Sequence, residues 1–455
     1  MAKRFELTKS FIAEIKGVIK SKDAAQLTTL IEPLHAADIA EIYYELSKEE
    51  AKFLYLLLDA ETASDALAEL DEDEREEFLE FLPSDVIAHQ FIDNMDTDDA
   101  ADVIGDLSEE KQQEVLLHID DVEHSGDILD LLAYDEDTAG GLMAKEMVVV
   151  NENWTILTCL KELGKQADEV DEVYYVYVVD DDEKFKGIVS LKKMVTTHKS
   201  TRVNNIVETD VIPVTTSTSA VEVSQIMEKY DLVALPVVDS IGRLLGRITI
   251  DDIVDVIREE AERDYQLASG LSEDVEYSDA LFRLSRARLP WLFIGLVGGI
   301  LGSMVLTGFE ESFANHPEMV FFLPLIAAMG GNVGIQSSAI IVHGLANNTI
   351  KNDNSLQKLS KEFLVALLNG AILSGLIFLY NYFFSTSFSL TISVSIALMV
   401  VILFASMMGT ITPLLLDKFK IDPALATGPF ITTMNDIMGL IIYLMIGRAL
   451  YAYIG

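Results

Sequence analysis

The residue with the most to explain is Asp436, which falls about 12 residues into an apolar stretch, Ala424–Ile454. At a helical rise of about 1.5 Å per residue that places it near the middle of a bilayer. A carboxylate there costs ~2.5–3.5 kcal/mol on insertion scales and normally faces a polar cavity. Two readings are open, a point on an ion path or an acid paired with a cation. Arg448, the one cation in an apolar stretch, lies 12 residues further on the same helix, about 18 Å away. Pairing within the helix is therefore impossible, and pairing between subunits would be needed. The sequence places no other carboxylate deep in a span. A pump coupled to protons would show a longer relay of acids or histidines, and no phosphate-binding loop of an ATPase is present. Passive conduction fits better.

Two further groups could do chemistry. Gly330-Gly331-Asn332-Val333-Gly334-Ile335-Gln336-Ser337-Ser338 sits in the middle of another apolar stretch. Its small residues allow close helix packing, while Asn332 and Gln336 could instead line a kinked, water-filled wall with amide oxygens. Thr249 and Asp252 stand three residues apart at the start of an acidic helix that continues through Asp255 and Glu259. Acids at that spacing share a helical face and repel unless cations or partners neutralise them. Elsewhere no nucleophile–base pair or histidine-rich metal site stands out among seven histidines, so an enzyme is the least favoured reading.

These groups belong to a chain of two contrasting halves. Its 455 residues carry a formal net charge of -41, although half of them are hydrophobic. All but two of those net negative charges lie before Trp291. Such density argues against nucleic acid as a partner, because phosphate binding needs clustered Lys and Arg. It suits either a solvated acidic surface or a sink for hard divalent cations. Cys159 is the only cysteine, so neither an intrachain disulfide nor a thiolate cluster can form. The charged start leads into an amphipathic stretch rather than a signal core.

Five segments meet the length of ~20 apolar residues that a membrane helix needs: Leu289–Phe309, Met319–Ala346, Phe363–Phe384, Leu390–Leu416 and Ala424–Ile454. Arg283, Arg286, Arg288, Lys351, Lys358, Lys361, Lys418 and Lys420 fall on one side, and the opposite loops have no Lys or Arg. By the positive-inside rule the N-terminus is cytoplasmic and the C-terminus outside.

The front of the chain repeats itself. Ala36-Ala37-Asp38-Ile39 with Leu46-Ser47 returns as Ala100-Ala101-Asp102-Val103 with Leu107-Ser108, and more weakly as Ala63-Ser64-Asp65-Ala66 with Leu70-Asp71. Ser or Asp at the second helix of each pair predicts an N-cap, and the repetition predicts a helical superhelix. Further on, Val178-Val179-Asp180 through Ser190 matches Val237-Val238-Asp239 through Thr249 at an offset of 59 residues. Each copy reads as helix, buried strand, turn, strand and helix.

That duplication, over about Gly141–Ile257, resembles tandem CBS domains, in which a Thr or Ser followed three residues later by Asp often holds a nucleotide ribose. Thr249 and Asp252 match, whereas the first copy has Ser190 with Lys193. The whole chain resembles the MgtE magnesium channel family, on the order of its parts, the Gly330–Gln336 run and the Asp422-Pro423-Ala424-Leu425 to Asn435-Asp436 run. The expected divisions are an acidic all-α superhelical domain (1–135), an α/β tandem CBS pair (136–262), a connecting helix (263–288) and a five-helix transmembrane domain (289–455). The resemblance implies a homodimer with a pore between its membrane domains, Asp436 of each subunit at the central ion site, and Asn332 and Gln336 bordering it. It also implies regulatory Mg²⁺ on Asp98, Asp102, Asp231, Asp252, Asp255, Glu260, Asp264 and Asp422. Ser219, Val221 and Arg263 stand where the family pattern has acids.

The expected function is passive Mg²⁺ uptake across the cell membrane, closed when Mg²⁺ binds the cytoplasmic acids. The rival readings are a transporter of Co²⁺ or Mn²⁺ governed by ATP at the CBS domains, and a non-transporting membrane scaffold.

Overall fold

The computed structural model describes residues 7–167, 170, 173–273, 275, 279–346, 355–385, 387–426 and 428–454. Lys351, named above in a loop, and Thr427, inside the run from Asp422 to Asp436, lie outside the described residues. The chain divides into two compact units, Met1–Arg258 and Glu259–Gly455.

The first unit opens with ten short α-helices: α1 (Lys9–Ser21), α2 (Ala24–Ile31), α3 (Ala36–Tyr43), α4 (Lys48–Tyr55), α5 (Ala60–Ala68), α6 (Glu72–Glu80), α7 (Ser84–Gln90), α8 (Thr97–Gly105), α9 (Glu109–Leu116) and α10 (Val122–Leu131). Apolar residues at helical spacing, such as Ile12, Ile15, Val18 and Ile19, turn one face of each inward. Alternate helices stack, α3 on α5 on α7 on α9, around edge-to-face and tilted rings of Tyr43, Tyr55, Phe78 and Phe91. The repeated sequence pairs are the helix pairs α3/α4, α5/α6 and α8/α9. Only Ser47 caps as expected, in a reciprocal box with Glu50. Ser108 donates to Glu80 instead, and Asp71 accepts from Tyr44 at 2.6 Å, so tertiary partners win these two side chains from their own helices.

The duplicated module forms two three-stranded sheets. One contains β1 (Val148–Asn151), β2 (Val176–Val179) and β3 (Phe185–Val189), with α11 (Ile156–Gln166) and α12 (Leu191–Thr196). The other contains β4 (Val214–Thr215), β5 (Ala234–Val238) and β6 (Leu244–Thr249), with α13 (Ala220–Tyr230) and α14 (Ile250–Ser269). In both, the first pair of strands is parallel and the second antiparallel, as a strand–helix–strand crossover followed by a hairpin requires. The middle strand β5 is buried throughout, which explains its unbroken apolar run.

The helical domain is knitted to the second sheet through one threonine. Thr97 is 1% exposed. Its N–H and hydroxyl both donate to Glu146, the hydroxyl at 2.8 Å, and it accepts from Lys145 N–H at 2.9 Å. Ala144 exchanges backbone hydrogen bonds with Arg247 of β6 at 2.8 and 2.9 Å. Glu146 thus caps α8, whose own N-cap residue, Asp96, makes no side-chain cap bond.

The expected connecting helix over 263–288 is not a single helix. α14 runs unbroken from the second module and ends at Ser269, where Gly270 takes φ +82° and Leu271 N–H bonds back to Gln266 O at 3.0 Å. That is a glycine-terminated helix end. The next helix, α15 (Leu281–Thr307), already belongs to the apolar set.

Among its described residues the second unit holds five helices long and apolar enough to cross a membrane. They are α15, α17 (Leu323–Ala346), α18 (Ser355–Phe384), α19 (Phe388–Lys418) and α20 (Pro429–Ile454), with a short α16 (Glu310–Asn315) outside the set. The span holding α17 starts at Pro317. α19 is the central element and packs on α17, α18 and α20. Its buried side includes Thr391, Ser393, Ser406 and Thr410, polar groups hidden from lipid, as helix contacts inside a membrane favour.

Replacing Thr97 with Val keeps the shape and removes the hydroxyl that joins Lys145 to Glu146. A loss of about 1–3 kcal/mol is expected, as for other buried groups left without partners. Thermal unfolding should show the lower midpoint; an unchanged midpoint would remove Thr97 from this role.

Candidate functional site

α20 is held between two glycine seams. On one side Gly298 of α15 meets Thr433 and Gly302 meets Leu440, while on the other Gly330, Gly331 and Gly334 of α17 meet Asn435, Asp436 and Thr432. A Cβ on Gly334 would collide with the Asn435 amide and lie 2.8 Å from Ile431 Cγ2. A Cβ on Gly331 would lie 3.5 Å from Asp436 Oδ1, an ordinary contact. The glycine-rich run is therefore a packing seam inside a continuous helix, not a kink. It also brings Asp436 beside the residue preceding Asn332.

Asp436 is half-buried in the chain taken singly, and Asn332 and Gln336 are exposed. Four residues apart, the two amides share one face of α17. Amides are costly on a lipid-facing surface, so that stripe suits water or a second subunit. Asn435, by contrast, is 1% exposed, and neither of its amide atoms has a hydrogen-bond partner among the described residues.

A second membrane carboxylate, not anticipated from the sequence, is Glu362. α18 starts eight residues before the expected span, so Glu362 falls inside it. Its Oε1 accepts from Ser337 of α17 and from Ser406 of α19, both at 2.6 Å. Two lysines close by in sequence, Lys358 and Lys361, had marked this stretch as loop.

In the first unit acids gather at two helix N-termini, close enough for Asp252 to act on Asp98. Asp98 and Asp99 occupy the first turn of α8, and Asp251 and Asp252 the first turn of α14, positions that the helix dipole favours for anions. Burial pushes the Asp98 carboxyl well above the usual range, helped by Asp252. Burial likewise pushes Asp252 up to about 6, although its bonds from Thr249 N–H (3.1 Å) and hydroxyl (2.9 Å) oppose the rise. Asp102 keeps open surface, yet desolvation pushes it up to about 7. Arg75 limits the effect there and binds Asp106 directly at 2.7 Å.

Oxygen atoms of Asp96, Asp98 and Glu146 lie within 4.8 Å of one another. An all-oxygen, anionic set of this kind fits a hard divalent cation such as Mg²⁺. Asp96 and Glu146 were not singled out from the sequence. The first could have been found from its neighbours in Asp96-Thr97-Asp98, but Glu146 comes from a segment with no local signal.

The remaining expected acids divide. Within the second unit Asp264 is half-buried, and burial, followed by the charge of Asp422, raises its carboxyl. Glu260 is half-buried on α14. Asp255 is exposed, and so is Asp231, which ends α13 at φ +51°.

Comparison with known proteins bears on this arrangement directly. Residues 34–137 match the MgtE intracellular N domain, residues 139–197 and 203–259 match CBS domains, and residues 323–446 match the MgtE divalent cation transporter model. The magnesium transporter MgtE of Thermus thermophilus is 32% identical over 96% of this chain and 97% of its own length. The chain belongs to the MgtE family. The Bacillus subtilis magnesium transporter MgtE is 30% identical over 92% of this chain and 93% of its own. A cytosolic domain of the Mg²⁺ channel MgtE, solved in complex with ATP, matches at 32% identity with a TM-score of 0.51, over 54% of this chain and 99% of its own. The soluble part of a magnesium transporter matches at 29% identity and a TM-score of 0.50, over 56% of this chain and 99% of its own. The five spans and the family together make this a multi-pass membrane protein, and MgtE proteins are named as transporters rather than enzymes.

The α8–α14 acids give a stability prediction with a definite sign. Their folded-state pKa values lie above the unfolded ones, so the native state holds extra protons, and stability falls as pH rises from about 4 to about 7. Asp98→Asn with Asp252→Asn should flatten that slope. In metal-free buffer near neutral pH the double variant should melt above wild type, and millimolar Mg²⁺ should narrow the gap. A variant that melts lower at every pH would contradict the repulsion.

Two glycines supply an independent check. Gly331→Ala should be near neutral, whereas Gly334→Ala overpacks the seam at a cost of about 1–3 kcal/mol. Thermal stability of the purified full chain in detergent separates them, and equal effects would refute the close approach of α17 and α20.

Proposed function

We propose that this protein is a passive Mg²⁺ channel that admits magnesium across the cell membrane and is closed by Mg²⁺ on its cytoplasmic acids. The carrying observation is Asp436, a half-buried carboxylate about two turns into its span, braced by glycine seams, in a member of a divalent-cation transporter family. Two copies of the chain would bring two such acids to a central site, with the Asn332 and Gln336 amides bordering it. Mg²⁺ surrenders its water reluctantly. A wide site with two carboxylates would hold the ion through its waters, weakly enough to release it, as conduction demands. The N-terminus lies in the cytoplasm on this reading and the C-terminus outside, in keeping with the positive-inside pattern.

Closure follows from the acidic cleft. Mg²⁺ bound among Asp98, Asp102, Asp252 and their neighbours Asp96 and Glu146 would neutralise facing carboxylates and favour a compact state. Asp231, Asp255, Glu260, Asp264 and Asp422 complete the expected regulatory set. An ion shifts such an equilibrium only by its differential affinity for the two states, so low cytoplasmic Mg²⁺ restores repulsion and opening. That is negative feedback.

Uptake into liposomes loaded without Mg²⁺ tests the pore. Wild type should take up Mg²⁺, and Asp436→Ala should lose at least about tenfold in rate, the scale of ~1.4 kcal/mol. Equal uptake would move the ion path elsewhere. Asp252→Asn with Asp255→Asn should raise the internal Mg²⁺ needed for closure; an unchanged closing concentration would dismiss the acidic sensor.

The hydrogen-bonded Thr249–Asp252 pair supports one additional role, adenine-nucleotide binding in the second CBS copy. Titration with ATP should raise the melting temperature of the soluble unit, and Thr249→Ala should abolish the rise. No shift in wild type would exclude this role.

A further inference from the structure

Resting on the transport reading above, one membrane feature extends it. Glu362 has no place among the expected pore or sensor acids, yet its carboxylate is committed to a specific set of partners. Ser337 is 4% exposed and Ser406 is 1% exposed. Their hydroxyls converge on the same oxygen, Glu362 Oε1, at 2.6 Å each, and lie 3.0 Å from one another. Distances of 2.5–2.7 Å are those of hydroxyls bound to a charged carboxylate, about twice as strong as neutral bonds. The cluster joins three helices, since Ser337 is on α17, Glu362 on α18 and Ser406 on α19.

The helix so gripped is the one that faces Asp436. Ser337 follows directly on Gln336 and stands one turn beyond Gly334, where α17 presses against Asn435. At the same level Gly409 of α19 lies against Gly334 O, and its Cβ position is 3.1 Å from Ser337 Cβ. α17 is thus wedged between α19 and α20. Close backbone packing excludes sideways motion but leaves sliding along the axis and rotation about it, which small residues resist poorly. A polar tie between helices supplies that restraint in a membrane, where apolar contact alone selects no register.

We propose that Glu362 is a positioning residue for conduction: its carboxylate, through Ser337 and Ser406, locks α17 in the register that holds Asn332, Gln336 and the glycine seam against Asp436. Glu362 does not touch the ion on this account. Its loss therefore lowers the number of productive passages without changing how external Mg²⁺ is captured.

The test measures initial Mg²⁺ uptake by purified full-length protein in liposomes across a range of external Mg²⁺. Glu362→Ala should cut the maximal rate at least about tenfold, the scale expected when buried hydroxyls lose their acceptor. The half-saturating concentration should stay within about twofold, because uniform capture is untouched. Glu362→Gln keeps an acceptor oxygen and should recover a substantial part of the rate. Ser337→Ala with Ser406→Ala should reproduce the loss with Glu362 still present, and it decides the matter should Glu362→Ala fail to fold. Wild-type rates in that serine double variant, or a large rise in half-saturating Mg²⁺ at an unchanged maximal rate, would overturn the proposal. Absence of uptake by wild type itself would instead overturn the transport reading on which it rests.

Discussion

A carboxylate removed from water must find a cation, a set of donors, or a proton, and this chain meets that requirement differently at each place where it arises. Burial in a low-dielectric setting disfavours the charged form. Asp106 takes the internal cation Arg75, and Asp252 takes the N–H and hydroxyl of Thr249. Glu146 takes the start of α8, and Glu362 takes two membrane serines. What distinguishes Asp98 is that its surroundings add further acids faster than they add donors. In such surroundings the charged form of the carboxyl is disfavoured, and a proton or a cation relieves it.

The membrane unit depends on a related economy of space. α17 uses glycine on the face toward α20 and serine toward α18 and α19, while its two amides remain on exposed positions. One helix therefore has three surfaces with three tasks: close approach, polar anchoring and contact with a polar surrounding. Substituting ordinary apolar residues throughout would still give a membrane helix, since length and hydropathy alone satisfy the bilayer. It would not give one that holds Asp436 in a defined place.

In the first unit the same helices that bury the core also aim the acids. Ala100, Ala101, Val103 and Ile104 pin α8 through its inner face, which leaves its acidic residues on the outer one. The helix dipole then favours Asp98 and Asp99 at its start. Burial of the apolar stripe and concentration of charge are consequences of one amphipathic pattern. Thr97 couples that helix to the neighbouring sheet, so the acids of α8 and α14 meet at a fixed distance rather than as independent surfaces.

Much of this was legible from the chain itself. Apolar length alone located the five spans, because a bilayer imposes a minimum run that few soluble segments reach. The 59-residue duplication revealed the paired modules, since equal strands and turns recur where equal folds do. Asp436 stood out because a lone acid in an apolar run has no local explanation. Other features depended on residues far apart in sequence and carried no local mark. Glu362 looked like part of a basic loop until Ser337 and Ser406, 25 and 44 residues away, supplied its donors. Glu146 joined the acids of α8 across 49 residues through Thr97. The connector broke at Gly270 because a single left-handed residue ended α14 where the family resemblance implied one helix over 263–288. Hydrophobic runs and repeats are properties of a segment and survive in one dimension; which donor reaches which carboxylate is decided only when helices pack.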